Sequence, residues 1–319
     1  MQQPIIPPVP IEALEAELTP EHFLRKTNKA GNEIYIVDAQ CAPNVMLEIG
    51  RLREIAFRAE GGGTGLEADI DSFDTMEHPC QQLVLWNPDA REIIGGYRFI
   101  LGPDMKFDSK GQPIIATSHL FHFSDRFIND YLPYTLELGR SYVRLEYQSS
   151  HAGAKSLYAL DNIWDGLGAL TVKYPHIRYF FGKFTMYPSF GAQGRDLILY
   201  FLSKHFPDND RLVTPHRPLL FEKFANLFPH DTIKDNYRIL NAEIRALGQN
   251  IPPLVNAYMN LSNSMKVFGT AINDEFGNVE ETSILITVND IYDDKRNRHI
   301  TTYQQSLTDG LDVDKMGFM

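Results

Sequence analysis

Four short stretches of this 319-residue chain set charge inside or beside apolar sequence. They are Arg53-Glu-Ile-Ala-Phe57, Asp71-Ser-Phe-Asp74, Arg98 between Tyr97 and Phe99, and Glu137-Leu-Gly-Arg140. Burying charge is costly unless it is paired or used, so a set that recurs through four successive elements points to one shared site. Glu137 follows Pro133 and enters an apolar strand, where desolvation would raise its pKa and suit it to act as a general base. A strand-edge glutamate paired to an arginine is the plainer reading. Asp71 and Asp74 are candidate catalytic carboxylates that could steer a substrate ammonium. They could equally pair with Arg53 or Arg98, or form an acidic hydrated loop. Arg98 could hold a substrate carboxylate in bidentate fashion, or lay its stem on the sheet with its head in water. Residues three apart on a regular strand face opposite sides. Glu137 and Arg140 therefore serve one site only if the strand is irregular, and Gly139 between them could permit a β-bulge.

The elements that would position these groups follow from pattern. Residues 1–10 are Pro-rich and read as extended, and 11–27 as a helix and a break, with Thr19-Pro-Glu-His22 as a second helix start. Ile34–Val37 reads as a strand. Asn44–Phe57 is an amphipathic helix through Val45, Ile49, Leu52 and Ala56, with Arg53 and Phe57 on a different stripe. Gly61-Gly-Gly-Thr-Gly65 breaks it. Strands are expected at 82–86, 92–101, 135–147 and 177–186, and helices at 124–131, 155–173 and 195–205. This order indicates a three-layer α/β domain with a mixed sheet over about residues 30–206. An N-terminal arm (1–29) precedes it. A C-terminal part (207–319) follows, with helices near 219–227, 233–247 and 252–262 and strands at 265–271 and 282–291, joined by a turn at Asp274–Asn278.

Composition sets outer limits. The chain is 43% hydrophobic and 22% charged, with 20 Phe and 15 Tyr, enough to build a core and line an apolar pocket. A net charge of −11 and no dense basic run speak against nucleic acid as a partner. Cys41 and Cys80 form no metal motif and read as buried, reduced thiols. His119 and His122 lack a third ligand at metal spacing, so no metal is expected. Without a signal sequence or a membrane-length apolar run, the chain is expected in the cytoplasm, with room for peripheral contact with the inner membrane.

Arg53, Phe57, Asp71, Asp74, Arg98, Glu137 and Arg140 together match the sparse pattern of the acyl-homoserine-lactone synthases. The chain resembles more closely the lipid-forming N-acyltransferases that make ornithine and glycine lipids, a GNAT-like group also labelled hemolysin. Glu48-Ile-Gly-Arg-Leu-Arg53-Glu, Asp69-Ile-Asp-Ser-Phe-Asp74, Glu137-Leu-Gly-Arg140, Ile251-Pro-Pro-Leu-Val-Asn-Ala-Tyr258 and Phe268-Gly-Thr-Ala-Ile-Asn-Asp-Glu-Phe-Gly277 carry that resemblance over about residues 30–290. It implies a GNAT-like α/β/α fold with a splayed central sheet and a helical and β-hairpin C-terminal extension. The implied activity is transfer of a fatty acyl group, often 3-hydroxylated, from acyl carrier protein to an amino-acid α-amine. Glu137, Asp71 and Asp74 would be catalytic, and Arg53, Phe57, Arg98 and Arg140 substrate-binding. The donor would be a phosphopantetheine thioester, with no bound cofactor. Gly61–Gly65 and Glu280-Glu281 resemble the glycine branch more than the ornithine branch. Ser150, His151, Gly153 and Lys155 are similar to the GNAT acyl-thioester loop but lack its Gln or Arg opening and its closing Gly or Ala. A carrier-protein thioester has no pyrophosphate to cradle, so such a degenerate loop would suit it. A carrier is itself acidic, so a local basic patch is expected from Arg140, Arg144, Lys155, Lys183, Arg195, Lys204, Arg211 and Arg217. A signal synthase and a non-enzymatic acyl-binding protein are the alternative readings.

Overall fold

The computed structural model describes residues 2–148 and 156–316 of the chain. An eight-stranded sheet organises them, in the order β1 (Phe23–Lys26), β2 (Glu33–Val37), β3 (Gln81–Asn87), β4 (Glu92–Leu101), β6 (Thr135–Val143), β7 (Tyr179–Met186), β10 (Val279–Thr287), β9 (Lys266–Asn273). Short strands β5 (Phe121–Phe123) and β8 (Val213–Pro215) pair separately. Every neighbouring pair in the main sheet is antiparallel except β6 and β7, which are parallel and pair only from Thr135↔Tyr179 to Leu138↔Gly182. Beyond that point β6 runs on to Val143 and β7 to Met186 with no pairing between them, so the sheet opens there.

One face carries α4 (Ser156–Lys173), α5 (Ala192–His205), α6 (Ile233–Ala246) and α7 (Pro253–Met259). The core on that side joins Leu136, Leu138, Phe180 and Phe184 of the strands to Ile163, Leu167, Ile198, Leu202, Leu240 and Val255 of the helices. On the other face lie α1 (Ile11–Glu17) and α2 (Pro43–Ala59), which bury Leu14, Val45, Met46, Ile49 and Leu52 against Tyr35, Val84, Trp86 and Ile93. A third cluster, with Phe121, Phe123, Phe127 and Phe181, fills the same side beneath β5 and β8. Fully burying such side chains contributes about 1.5–3 kcal/mol each.

Several local expectations change. Thr19–His22 is a turn, with the His22 and Phe23 amides donating to the carbonyls of Thr19 and Pro20. The residues that would have continued a helix instead pair with β2 as an edge strand. Residues 219–227 form no helix; the Leu219 amide donates to Thr270 and draws the segment along β9. The strand expected to reach Tyr147 ends at Val143 and gives way to a 3₁₀ turn, Leu145–Tyr147. C-terminal helices α8 (Asp293–Arg296) and α9 (Thr302–Met316) carry no strong amphipathic signal and were not expected. Cys80 is buried as expected, whereas Cys41 is exposed and bonded to Asp38.

Candidate active site

The short helix α3 (Ser72–Thr75) begins with a reciprocal cap: the Asp71 carboxylate accepts from the Phe73 and Asp74 amides, and Asp74 accepts from the Asp71 amide. Such a cap fixes both carboxylates in direction. Asp74, fully buried, faces Arg53 Nη1 at 3.4 Å and Arg98 Nη1 at 3.2 Å. Asp71 accepts from Arg98 Nη1 at 2.7 Å and stands 3.4 Å from Arg140 Nη2. Asp69, also fully buried, lies 2.9 Å from Arg140 Nε. Gln82 donates to Asp74 at 2.9 Å and accepts from Arg53. Three arginines and three aspartates thus face one another, clamping α2 and the 69–75 segment to β3, β4 and β6. Burial pushes the Asp74 carboxyl up, but the guanidiniums of Arg53 and Arg98 and the Asp71 amide outweigh it and hold it at about 2. Burial dominates at Asp69, whose carboxyl is raised despite Arg140.

The irregularity that Glu137 and Arg140 require is present, one residue later than Gly139. Between the pairs Gly96↔Tyr142 and Arg98↔Gly139, the two residues Arg140 and Ser141 oppose Tyr97 alone. Arg140 takes φ +49°, a left-handed backbone that costs a non-glycine residue about 1–2 kcal/mol. The extra residue shifts the alternation of the strand. Glu137 and Gly139 share a face with Arg98, and Arg140 reaches Asp69 and Asp71 on that same side.

A cavity of about 830 Å³ occupies the opening between β6 and β7. Leu138, Phe184 and Met186 line it and also belong to the core under α4 and α5. Glu137 and Lys183 line it too, and by strand alternation they point to the opposite face. The cavity therefore passes through the sheet. On the helical side its wall is largely apolar, with Ala159, Leu160, Phe190, Pro252, Pro253 and Leu254 beside Ser189 and Gln249. On the other side the wall holds Phe57, Arg98, Thr117, Glu137, Arg140, Lys183 and Glu281. Glu137 is buried and accepts from Thr117 Oγ1 at 2.6 Å. Burial raises its pKa; the Thr117 hydrogen bond, Arg98 and Lys183 offset only part of that. Cys80 lies on the same wall, its thiol pushed up to about 12 by burial.

Of the residues singled out from sequence, Phe57, Arg98, Glu137 and Arg140 meet on the cavity wall. Arg53, Asp71 and Asp74 stand behind it, occupied with one another and with Arg98 and Arg140. Phe57 packs edge-on against Phe276, 5.1 Å between centroids, and Arg140 lies over the Phe276 ring at 4.5 Å. Ser150, His151, Gly153 and Lys155 lie outside the described residues. Of the residues expected to form a basic patch, Arg144 is paired with Glu92 and Glu146, and Arg195 with Asp196 and Glu280. The glycine-rich loop serves a carboxylate of the protein itself. Buried Glu54 accepts from the Thr64 and Gly65 amides and the Thr64 hydroxyl, and at Gly63, with φ +91°, a Cβ would come within 3.1 Å of Glu54 Oε1.

Asp69, Thr117, Lys183 and Glu281 were not among the candidate catalytic or substrate-binding residues; Lys183 was expected only in a basic patch, and Glu281 only as a mark of the glycine branch. Asp69 belonged to a recognised acidic motif, and its role is set by the left-handed turn at Arg140. Thr117 comes from an irregular connection between β4 and β5 that carries no pattern.

A mixed central sheet that splays between β6 and β7, with a bulge in β6, is the GNAT-like acyltransferase architecture that the sequence resemblance implied. The acetyltransferase (GNAT) domain family matches residues 52–157, from the second half of α2 through the bulge to the first turn of α4. A curated relative in Bacteroides thetaiotaomicron, a "Glycine N(alpha)-acyltransferase", is 64% identical over 311 residues, 96% of this chain and 92% of that protein. A protein of the same name in Phocaeicola vulgatus is 59% identical over 313 residues, 97% of this chain and 96% of the relative. The chain belongs to this family and is an N-acyltransferase. Among solved structures it is similar to FeeM, an N-acyl amino acid synthase from uncultured soil microbes. That match has TM-score 0.39 and 10% identity, over 86% of this chain and 97% of that one. It is also similar to BjaI, a CoA-dependent acyl-homoserine lactone synthase, at TM-score 0.30 and 13% identity, over 72% and 99%.

Proposed function

We propose that this enzyme acylates the α-amine of glycine with a long acyl chain delivered as a phosphopantetheine thioester on acyl carrier protein. In this reading the acyl chain lies in the apolar half of the cavity, the thioester sits in the gap between β6 and β7, and the amine approaches from the polar half. The observation that carries it is the cavity passing through the sheet with Glu137 at the crossing. The names of the relatives support glycine as the acceptor. The product, an N-acylglycine, is amphipathic and would be consumed by a membrane-associated lipid-forming step.

Glycine reaches the site with its amine protonated. In the proposed sequence Glu137 removes one proton and the freed nitrogen attacks the thioester carbonyl carbon. The oxyanion that forms faces the bulge, where irregular pairing frees backbone N–H groups to stabilise it. Collapse breaks the C–S bond, the departing thiolate takes a second proton from nitrogen, and the third stays on the amide. Asp71 and Asp74 act through position: they hold Arg98 and Arg140 in place on the wall.

The test is direct. Purified protein is incubated with long-chain acyl-carrier protein and glycine, and the products are read by mass spectrometry. N-acylglycine is expected, with E137Q slower by about two to four orders of magnitude, as for loss of a general base. Intact acyl thioester after prolonged incubation with wild-type enzyme would overturn the reading.

A further inference from the structure

Among the described residues the cavity wall carries three cations, Arg98, Arg140 and Lys183. Two of them already face a pair of aspartates each: Arg98 has Asp71 and Asp74, and Arg140 has Asp69 and Asp71. Lys183 differs. Among the described residues its ion-pair partner is Glu281, which lines the same cavity. Pairing of β7 with β10 sets Lys183 opposite Ser283 and Glu281 opposite Thr185, so the two side chains are diagonal neighbours on one face. Their side chains are 11% and 4% exposed. Glu281 meets Lys183 through its Oε2. This is a buried ion pair on the wall of a cavity, with Glu137 on the same wall.

Burying such a pair contributes little to stability by itself. A zwitterion supplies what it lacks. Exchange of partners, with Lys183 turning to a carboxylate and Glu281 to an ammonium, leaves the net charge of the buried site unchanged. We infer that Lys183 and Glu281 form the acceptor subsite: Lys183 Nζ binds the α-carboxylate of the amino acid, and Glu281 receives the ammonium and presents it to Glu137. Arg98, the carboxylate binder suggested by sequence, already turns its Nη1 to both Asp71 and Asp74. The inference rests on the acyl transfer proposed above and adds how the amino acid is held.

Glycine and glycinamide separate the two ideas. Glycinamide keeps the amine and loses the anionic carboxylate. Its amine resembles a peptide α-amino group with a pKa of about 8, so it holds more free base at neutral pH, and a preference for glycine reports carboxylate recognition. With acyl thioester saturating, wild-type enzyme should favour glycine by about 10- to 150-fold in kcat/KM, the scale of a charge-assisted hydrogen bond. K183M should bring the two acceptors within a few-fold of each other with an unchanged KM for the thioester, and K183R should keep most of the preference. Equal use of both acceptors by wild-type enzyme overturns the subsite without requiring any variant to fold. A folded K183M that keeps the wild-type preference overturns it as well. Failure of wild-type enzyme to acylate either amine would instead remove the acyl-transfer reading, and the subsite with it.

Discussion

Glu137 and Asp74 are both buried carboxylates, yet their surroundings drive them in opposite directions. Asp74 sits between two guanidiniums and is held at about 2, so it stabilises the fold above the ordinary carboxylate range and loses that effect as pH falls toward 2. D74N leaves Arg53 and Arg98 under-compensated inside the protein. It should cost about 3–5 kcal/mol at neutral pH, read from denaturant unfolding, and the cost should shrink in acid. Glu137 is raised by burial, so the folded state binds its proton more tightly than the unfolded state does. Its contribution is present at low pH and is lost as pH rises from the normal carboxylate value through the raised one. Glutamine does not titrate, so the melting temperature of E137Q relative to wild type should climb from about pH 4 upward and then level off. A constant difference across that range would mean that Glu137 is not desolvated in the free enzyme. At this scale Glu137 was legible because a carboxylate in an apolar strand violates the pattern around it. Lys183 and Glu281 were not, because their meaning depends on which strands lie side by side.

The elements were easier to read than their ends. Period and length identified α2, β3, β4, α4, β7 and α5 to within a few residues, since these bury long regular stripes. Thr19–His22 and residues 219–227 misled because their backbone groups pair with distant strands, and pairing of that kind overrides local propensity. The bulge was legible as a need, from Glu137 and Arg140 lying three apart, but its site was not; a left-handed arginine leaves no mark in composition. Gly182 tests the opening itself. It forms the last pair of the β6–β7 seam, and a Cβ there would lie 2.5 Å from the Leu138 carbonyl oxygen. G182A should therefore push the strands apart at the mouth of the cavity. We expect a loss of about 1–3 kcal/mol, as for overpacking elsewhere, and a larger fall in kcat than in thermal stability alone would predict. Wild-type kcat in a folded G182A would show that the seam's width is not critical.

For the molecule as a whole, the cavity couples ligand length to affinity. Its helical half is walled largely by aliphatic and aromatic groups, and each methylene buried there is worth about 0.8 kcal/mol. Donor kcat/KM should rise about three- to fourfold per methylene until the chain reaches the end of the wall, then stop rising. A flat dependence on length would place the acyl chain elsewhere. The gross architecture was legible from the order of strands and helices. The cavity's course from one face to the other was not, because it arises where two correctly expected strands fail to stay together. That partial seam has one more consequence. Five strands of the sheet, β1, β2, β3, β4 and β6, and the other three, β7, β10 and β9, share four rungs of main-chain pairing, Thr135–Leu138 against Tyr179–Gly182. Past the fourth rung the facing edges have no strand to lean on, so amide hydrogen–deuterium exchange should be fastest there in the empty enzyme. A guest lodged in the fork would act as the missing rungs, and the molecule would stiffen along the line where it is cleft.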